Sequence, residues 1–589
     1  MERNAIIRWA LIAVGLFLFV KFGYPMLTGA NKAPQPVPAE VYANAPDFAP
    51  DKIDAVAAGA PANPQPEEGV ICTIRGDRYK AELSTRGASL VHFIITDAQY
   101  ANGPEGFDLS TTPDHERWRS LRTLFRPVGD GGPAAADDQL AYDRFNWTLE
   151  QGGAAGTPQA GDEKSCTFSY TADGVKLTKV VRAAERPFEL EVATTVENLA
   201  EIPKKHTFQI GTYAYRWNRD VKGSLGRVSP FLTELMCVNS DALERKGKDD
   251  YKNGPFTQDD TDRFAAVTNY YFGQALIPAE GDKPQCWTLA QQLHRADQAA
   301  DDDNAAVVYH AKLVYPARSL APHEVATYKQ TAFFGPKERN VLAAVGGGRA
   351  KLGDLINLGF FSPVAKFLVM FLVFLHDNVA PSWGLAIILM TVCLRLMLFP
   401  LSLKQIRTTI GMRKLKPELD ELAKKFGSDA QAKNLATMEL YRKRGVNPLG
   451  GCLPQLVQMP VWWAMYTTLQ TAVEMYHRRF LWFPDLSEPD KFYILPIVLG
   501  GLGFVQARIM PAQPGQDPAQ QRMMMYLMPA IFTAMMLFLP AALGVYMMTN
   551  SALGILQQVI VEAYAKRNVD SGSSGGGGIV VKEKTSGAS

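Results

Sequence analysis

Apolar and polar positions alternate in short runs between residues 69 and 345. In residues 188–196 the even positions are apolar or Thr, and the odd positions carry Glu, Ala or Thr, which is the period of a half-buried strand. Similar runs cover residues 90–96, 175–181 and 305–314, and turn residues such as Asp173 and Gly174 separate them. The pattern predicts a large all-β domain over residues 69–345, built as an antiparallel sandwich.

Long apolar runs dominate the chain after residue 382. A helix needs about 20 mostly apolar residues to cross a bilayer. The runs predict five membrane spans within a helical core over residues 383–567, at about residues 383–403, 451–473, 492–509, 523–539 and 541–561. Residues 568–589 are rich in Ser and Gly, so we expect a flexible tail there.

The N-terminal residues 1–30 form a further apolar segment, interrupted by Arg8 and Lys21. Its short apolar core fits a cleaved signal peptide, with a small-x-small site at residues 28–30. It also fits a transmembrane signal-anchor whose two basic side chains reach the interfaces. We predict the signal-anchor. Either kind of segment would direct the next residues across the membrane, beginning with an Ala/Pro-rich linker over residues 31–68.

Residues 355–378 are apolar but carry Lys366, His376 and Asp377. Pro363 fits the first turn of a helix, where proline is tolerated. The segment could span the membrane, but only Pro381 and Ser382 lie between the apolar stretch at 379–380 and the next run. An amphipathic helix lying in the membrane interface is the favoured prediction.

A basic segment connects the first two predicted spans. Residues 404–447 hold eleven Lys and Arg against five Asp and Glu, and their apolar residues recur at helical spacing. We expect a hairpin of two antiparallel helices, whose apolar stripes are Leu415, Leu419 and Leu422 in the first and Leu435, Met438 and Tyr441 in the second.

Charge also predicts the orientation of the chain. The positive-inside rule places the hairpin in the cytoplasm and the acidic loop 474–491 outside. The chain is therefore predicted to be a multi-pass membrane protein. Both termini would be cytoplasmic, and residues 31–382 would lie largely outside. The net charge of +2 predicts no specific nucleic-acid binding.

Arg395 is the most unusual residue of the predicted spans. An arginine near the centre of a membrane helix costs about 2.5–3.5 kcal/mol on insertion scales. The other predicted spans contain no Asp or Glu, so the sequence offers no salt-bridge partner. A water-filled cavity is the favoured interpretation, and Thr391 lies one turn away on the same face. The alternative is that Arg395 lies near the inner interface and extends into the headgroups.

The sequence carries no recognisable enzyme motif. It lacks Walker A, G-x-S-x-G and HExxH patterns and paired intramembrane carboxylates, so we predict no enzyme, no cofactor and no metal. Four cysteines lie widely spaced in the predicted β domain: Cys72, Cys166, Cys237 and Cys286. We expect buried, unpaired thiols. The alternative is one disulfide among these four cysteines, if the domain lies outside the cytoplasm. The sequence does not assign its two partners.

Several motifs resemble those of one membrane-protein family. The signature covers residues 447–454 (NPLGGCLP), continues to Pro460 through Gln458 and Met459, and recurs at residues 493–496 (YILP), at Met528-Pro529 and at residues 531–533 (IFT). With Arg395, these motifs are similar to those of the YidC/Oxa/Alb insertases, and the match covers about residues 383–567. The preceding domain resembles the large periplasmic domain of the Gram-negative form, whose fold is a β-super-sandwich.

The resemblance implies a mechanism and a set of sites. The fold would be five core helices plus the N-terminal transmembrane helix. The five core helices would enclose a hydrophilic groove containing Arg395, Thr391, Gln506 and Tyr546. Apolar client segments would slide along the second and fourth core helices at Met459, Pro460, Met535 and Met536. The family usually has two aromatic residues where this chain has Tyr546-Met547.

The resemblance also implies the location, which is the bacterial inner membrane with residues 31–382 largely periplasmic, and the partners. The clients are nascent membrane proteins, inserted alone or with the Sec translocon. The basic hairpin would receive them from the ribosome or the signal-recognition machinery, and membrane lipids surround the core. The alternative function is a polytopic channel or solute carrier, and a membrane-anchored carbohydrate-active enzyme is a third class.

Overall fold

The computed structural model describes most of the chain between residues 69 and 572. The described ranges are 69–101, 104–112, 118–127, 146–151, 164–172, 174–222, 229–293, 302–403, 405–406, 415–426, 430–444, 449–509 and 523–572. The predicted anchor at 1–30 and linker at 31–68 lie outside these ranges. The described chain divides into a β unit (within residues 69–357, with Thr471–His477) and a helical unit (within residues 358–470 and 478–572).

The β unit is built of antiparallel strands. In chain order they are β1 (Ile71–Gly76), β2 (Tyr79–Ser84), β3 (Ser89–Ile95), β4 (Phe107–Asp108), β5 (Arg122–Pro127), β6 (Thr148–Gln151), β7 (Ser165–Ala172), β8 (Val175–Ala183), β9 (Glu189–Asn198), β10 (Lys204–Trp217), β11 (Glu234–Val238), β12 (Leu243–Lys246), β13 (Phe256–Gln258), β14 (Phe264–Thr268), β15 (Phe272–Pro278), β16 (Gln285–Leu293), β17 (Ala306–Val314), β18 (Arg318–Leu320) and β19 (Val325–Pro336).

These strands form three sheets in the described residues. One has the order β1-β2-β3-β4, a second β13-β16-β17-β10-β18 with β5 on β10, and the third β12-β11-β14-β15-β19-β9-β8-β7-β6. Short helices α1 (Asn218–Val221) and α2 (Arg339–Ala344) accompany them, with 3₁₀ turns at Lys248–Tyr251, Val345–Gly348, Leu352–Leu355 and Val473–Met475.

Period-two burial explains why these segments are strands. Along β8, Val175, Leu177 and Val181 are buried and alternate with half-buried positions. Each strand thus turns one face inwards, and the inward faces of all three sheets join in one apolar core. Phe93 shows the contact between sheets, because its ring stacks on Phe334 of β19 at 5.3 Å. The predicted large all-β domain is confirmed.

Two disulfides cross-link the sheets, so the expectation of unpaired thiols is wrong. Cys72 of β1 bonds Cys166 of β7, with Cα atoms 6.3 Å apart. Cys237 of β11 bonds Cys286 of β16, at 5.8 Å. Each bond joins two different sheets, and both separations lie in the normal range for disulfides. Spacing along the chain could not show this, because the partners meet only when the sheets pack.

A lysine interrupts the apolar row of β8. Lys179 is fully buried between Leu177 and Val181. Its ammonium donates hydrogen bonds to the Leu121 carbonyl and, at 3.0 Å, to the Thr123 hydroxyl. Both partners are neutral, so burial lowers the pKa of Lys179 from 10.5 to about 7.

The helical unit begins after the β unit. Its α-helices are α3 (Ser362–Asn378), α4 (Trp383–Met397), α5 (Lys416–Phe426), α6 (Ala430–Lys443), α7 (Leu449–Thr471), α8 (Ile494–Ile509), α9 (Met528–Met536) and α10 (Ala541–Gly572), with a π turn at Met523–Leu527. Pro363 lies in the first turn of α3, as predicted. The Ser382 hydroxyl accepts the Leu385 N–H and begins α4.

Each of the five apolar runs contains a helix, α4 and α7 to α10. Among the described residues, none of the helices combines the length and the apolar character needed to cross a membrane. Helix α10 continues to Gly572, past the predicted start of the tail.

Helices α5 and α6 pack on each other through Leu415, Leu419 and Tyr441. Arg444 adds an ion pair to Glu418 at 2.8 Å. The stripe predicted for the second helix is only partly correct, because Leu435 and Met438 are exposed.

Removing either disulfide should destabilise the β unit. Cys72→Ser/Cys166→Ser and Cys237→Ser/Cys286→Ser each release a constraint on the unfolded chain worth about 2–5 kcal/mol. The measurement is thermal unfolding of the full chain in detergent, with and without reductant. A Cys393→Ser variant is the control, because that cysteine is free. Equal midpoints for all variants would contradict the cross-links.

The buried Lys179 predicts a pH-dependent stability. The unfolded state binds more protons than the folded state between about pH 7 and about pH 10.5, so stability rises with pH in that window. Below pH 7 the folded state carries the full free-energy cost of burying the charged ammonium of Lys179. Lys179→Met should therefore raise the unfolding midpoint most near pH 6, and this increase should become smaller towards about pH 9.

Lys252→Met is the matched control, since that side chain is exposed. Its effect on the midpoint should not follow the same trend. An effect of Lys179→Met that is constant with pH would show that Lys179 does not titrate in this window.

Candidate functional site

The guanidinium of Arg395 connects helices α4 and α10. Its Nε donates to Asn550 Oδ1 at 2.7 Å, and its Nη2 donates to the Asn550 carbonyl at 2.7 Å. Its Nη1 donates to Gln557 Oε1 at 3.3 Å. We call Arg395, Asn550 and Gln557 the arginine cluster. All three acceptors are neutral, and within the described ranges Arg395 forms no ion pair with a carboxylate.

The sequence of α10 explains why the cluster forms there. Asn550, Gly554 and Gln557 recur at i, i+4 and i+7, so they lie on one face of the helix. Gly554 leaves room for the guanidinium, because a Cβ at this position would lie 3.0 Å from Arg395 Nη2. The amides bind the arginine while the glycine lets the two helices approach.

Two of the predicted groove residues lie near this cluster. Thr391 is one turn before Arg395 on α4, buried, and its hydroxyl donates to the Ile387 carbonyl at 2.7 Å. Tyr546 is one turn before Asn550 on α10 and is also buried. Gln506 lies half-buried on α8, and no hydrogen bond is found for it in the described structure.

The four predicted slide residues differ in exposure. Met459 on α7 is 60% exposed, and its neighbour Pro460 is half-buried. Met535 on α9 is half-buried, whereas Met536 is fully buried. A Cβ at Gly544 of α10 would approach Met536 Cε to 3.0 Å, which shows how closely α9 and α10 pack there.

The sequence reasoning named no specific partner for Arg395. The sequence showed no carboxylate partner, and neither Asn550 nor Gln557 was predicted to contact Arg395. The helical spacing of Asn550, Gly554 and Gln557 was the available signal. In the described part of the chain, no group of three or more His, Cys, Asp or Glu side chains could hold a metal ion.

Comparison with known families identifies the chain. A model described as the YidC periplasmic domain matches residues 71–371, and a model described as 60Kd inner membrane protein matches residues 374–568. The chain belongs to the YidC family. The resemblance of the sequence motifs is thereby confirmed, and the family consists of inner membrane protein insertases rather than enzymes.

Individual YidC relatives align over most of the chain. The membrane protein insertase YidC of Anaeromyxobacter sp. (strain K) is 32% identical over 499 residues, covering 83% of this chain and 80% of the relative. That of Actinobacillus succinogenes is 29% identical over 557 residues, covering 94% and 96%. A crystal structure of an active YidC insertase covers 86% of this chain and 95% of its own, with 18% identity and a TM-score of 0.36.

Proposed function

We propose that this chain inserts nascent membrane proteins into the inner membrane, and that Arg395 attracts acidic or polar parts of each client into a groove. Membership of the insertase family supports the function. The observation that carries the role of Arg395 is its set of neutral partners: Asn550 and Gln557 hold the guanidinium without cancelling its charge.

The arginine cluster keeps capacity for a client. A guanidinium has five N–H donors, and Asn550 and Gln557 accept from three of its nitrogens. The hydrogen bond to Gln557 is the longest of the three. A client carboxylate can therefore replace the Gln557 carbonyl with the smallest loss of free energy. An ion pair between guanidinium and carboxylate then replaces a hydrogen bond to a neutral amide, and a surrounding of low dielectric strengthens it.

The other predicted site residues complete the groove. Thr391, Gln506 and Tyr546 line it with polar groups. Apolar client segments slide past Met459 and Pro460 on α7 and Met535 on α9, then partition into lipid, with apolar burial as the driving force. Met536 is buried, so a client reaches it only when α9 and α10 separate.

The proposed topology has five core spans, a cytoplasmic basic hairpin at α5 and α6, and cytoplasmic termini. The β unit is periplasmic, and its two disulfides suit an oxidising compartment. Thr471–His477, which includes the first residues of the loop 474–491 predicted to lie outside, belongs to the β unit. Tyr476 there stacks on Tyr100 with ring centroids 6.0 Å apart.

The partners are inferred from these surfaces. The hairpin receives clients from the ribosome or the signal-recognition machinery, and some clients are shared with the Sec translocon. Helix α3 lies at the lipid interface. It buries Leu368 and Leu372 and exposes Phe367, Met370 and Phe374.

Arg395→Ala should impair insertion of a single-span client with an acidic translocated tail. Loss of a charge-assisted hydrogen bond corresponds to about tenfold or more in the initial rate. The measurement is protease protection of the client in proteoliposomes that contain only this protein. Arg508→Ala is the control, because that arginine is exposed. Equal rates for all three proteins would exclude the proposed role of Arg395.

Gly554→Val should produce the same defect although Arg395 itself is not substituted. The added side chain enters the space of Arg395 Nη2 and displaces the guanidinium from Asn550. Gly501→Val is the matched control, because a Cβ there meets no atom within 4 Å. We expect slower insertion of the acidic-tailed client and unchanged insertion of one with a neutral tail. If Gly554→Val slows both clients equally, helix packing rather than the position of Arg395 limits the rate.

A further inference from the structure

A short segment between α7 and α8 is built into the β unit. Helix α7 begins in the helical unit, but its last residue, Thr471, belongs to the β unit together with the residues that follow it up to His477. We call residues 472–476 the tether. The tether contains the 3₁₀ turn Val473–Met475. The chain therefore passes directly from the end of α7 into the fold of the β unit.

Apolar side chains of the tether complete the core of the β unit. Val473 is fully buried and belongs to the apolar core that the three sheets share. The ring of Tyr476 packs against the same core, with its centroid 5.4 Å from that of Tyr271 and 5.8 Å from that of Phe272. Because these side chains are removed from water, release of the tether would be unfavourable.

The side chain of Gln99, which follows β3, binds the backbone of the tether. Its Nε2 donates to the carbonyl oxygens of Val473, Glu474 and Tyr476, each at 3.4 Å. An amide nitrogen carries two hydrogens, so the three acceptors share them. Carbonyl groups that follow the end of a helix need partners outside it, and Gln99 supplies them here.

An ion pair joins the tether to α2. Arg339, the first residue of α2, donates from its Nη1 to Glu474 Oε1 at 2.5 Å. The side chains of Arg339 and Glu474 are only 22% and 15% exposed. Solvent and salt therefore screen this pair less than an ion pair on an open surface.

The residues of the β unit that bind the tether are themselves held in place. Arg78 donates to both carboxylate oxygens of Glu338, at 2.9 and 2.6 Å, and to Asp97 at 2.7 Å. Asp97 in turn accepts the backbone N–H of Gln99 at 2.8 Å. Glu338 directly precedes Arg339, so one network fixes both side chains that bind the tether.

We infer that Gln99, Arg339 and Glu474 are positioning residues for insertion, because they fasten the tether to the β unit and thereby fix the end of α7. The last turn of a helix opens at little cost in free energy unless other contacts hold it. Helix α7 carries Met459 and Pro460, the proposed slide residues. A fixed end keeps these residues in one position while a client passes.

The inference deepens the proposed function and rests on it in one respect, which is the role of α7 as a slide. The attachment itself is a property of the protein without a client. It can therefore be measured separately from insertion, and a failure of the proposed function would not be mistaken for a failure of the tether.

Hydrogen–deuterium exchange of the full chain in detergent, without a client, tests the attachment. Glu474→Gln removes the ion pair, and Gln99→Ala removes the bonds to the backbone. In each variant the amides of the tether and of the last turn of α7 should exchange about tenfold faster, as for the loss of a hydrogen bond to a charged group.

Two matched variants are the controls. Glu488→Gln lies in the same loop and removes an exposed ion pair with Lys491. Gln285→Ala removes a side-chain amide bond to Asp259 elsewhere in the β unit. Neither should change exchange at the end of α7. Thermal unfolding shows that every variant is folded at the temperature of the exchange measurement.

A double-mutant cycle tests the ion pair. Arg339→Gln, Glu474→Gln and the double variant should show nearly the same exchange at the end of α7, because the second substitution has no ion pair left to remove.

Insertion in proteoliposomes tests the positioning role. Glu474→Gln and Gln99→Ala should slow an acidic-tailed and a neutral-tailed client by the same factor, because the apolar span of each client uses α7. Arg395→Ala should instead change the ratio of the two rates. A purely structural role of the tether in the β unit would lower the unfolding midpoint and leave both rates unchanged.

Three results would overturn the inference. The first is unchanged exchange at the end of α7 in folded Glu474→Gln and Gln99→Ala chains. The second is that the effects of Arg339→Gln and Glu474→Gln add in the double variant. The third is that exchange becomes faster while insertion of both clients keeps its rate, or while only the acidic-tailed client is slowed.

Discussion

The bond between Arg395 and the amides of α10 is the interaction on which the proposed function depends. Without a partner, a guanidinium between apolar helices would lose its hydration with no compensation. A carboxylate partner would satisfy it but would also cancel the charge that attracts a client. Asn550 and Gln557 satisfy its hydrogen bonds and leave the charge in place, and Gly554 makes the space that this geometry requires.

The two units of the chain are stabilised by different means. The β unit gains its stability from one apolar core shared by three sheets, and from two disulfides that each join different sheets. The helical unit relies on close approach of helices at small residues, as where Gly544 meets Leu495 and Met536. Cross-links suit a domain outside the cytoplasm. Packing at small residues leaves the helices able to separate for a client, because no covalent bond joins them in the described residues.

Local patterns predicted the elements better than the contacts between them. The period of two in β8, β9 and β17, and Pro363 at the start of α3, were visible in the sequence because they depend on neighbouring residues. The disulfide pairs were not, since Cys72 and Cys166 meet only across packed sheets. The burial of Met536 likewise depends on another helix. Arg395 was recognised because placing an arginine in a membrane helix costs free energy. Its neutral partners could be recognised only from the helical spacing of polar residues on α10.

The most direct test of the account is to ask whether a client's acidic tail touches the arginine cluster during insertion. A photoreactive amino acid would replace Gln557, or Ile497 as a control on an exposed face of α8. The account predicts adducts from position 557 that map to the acidic tail and disappear with Arg395→Ala, and none from position 497. Adducts from position 557 that persist unchanged without Arg395, or that never include the tail, would contradict it.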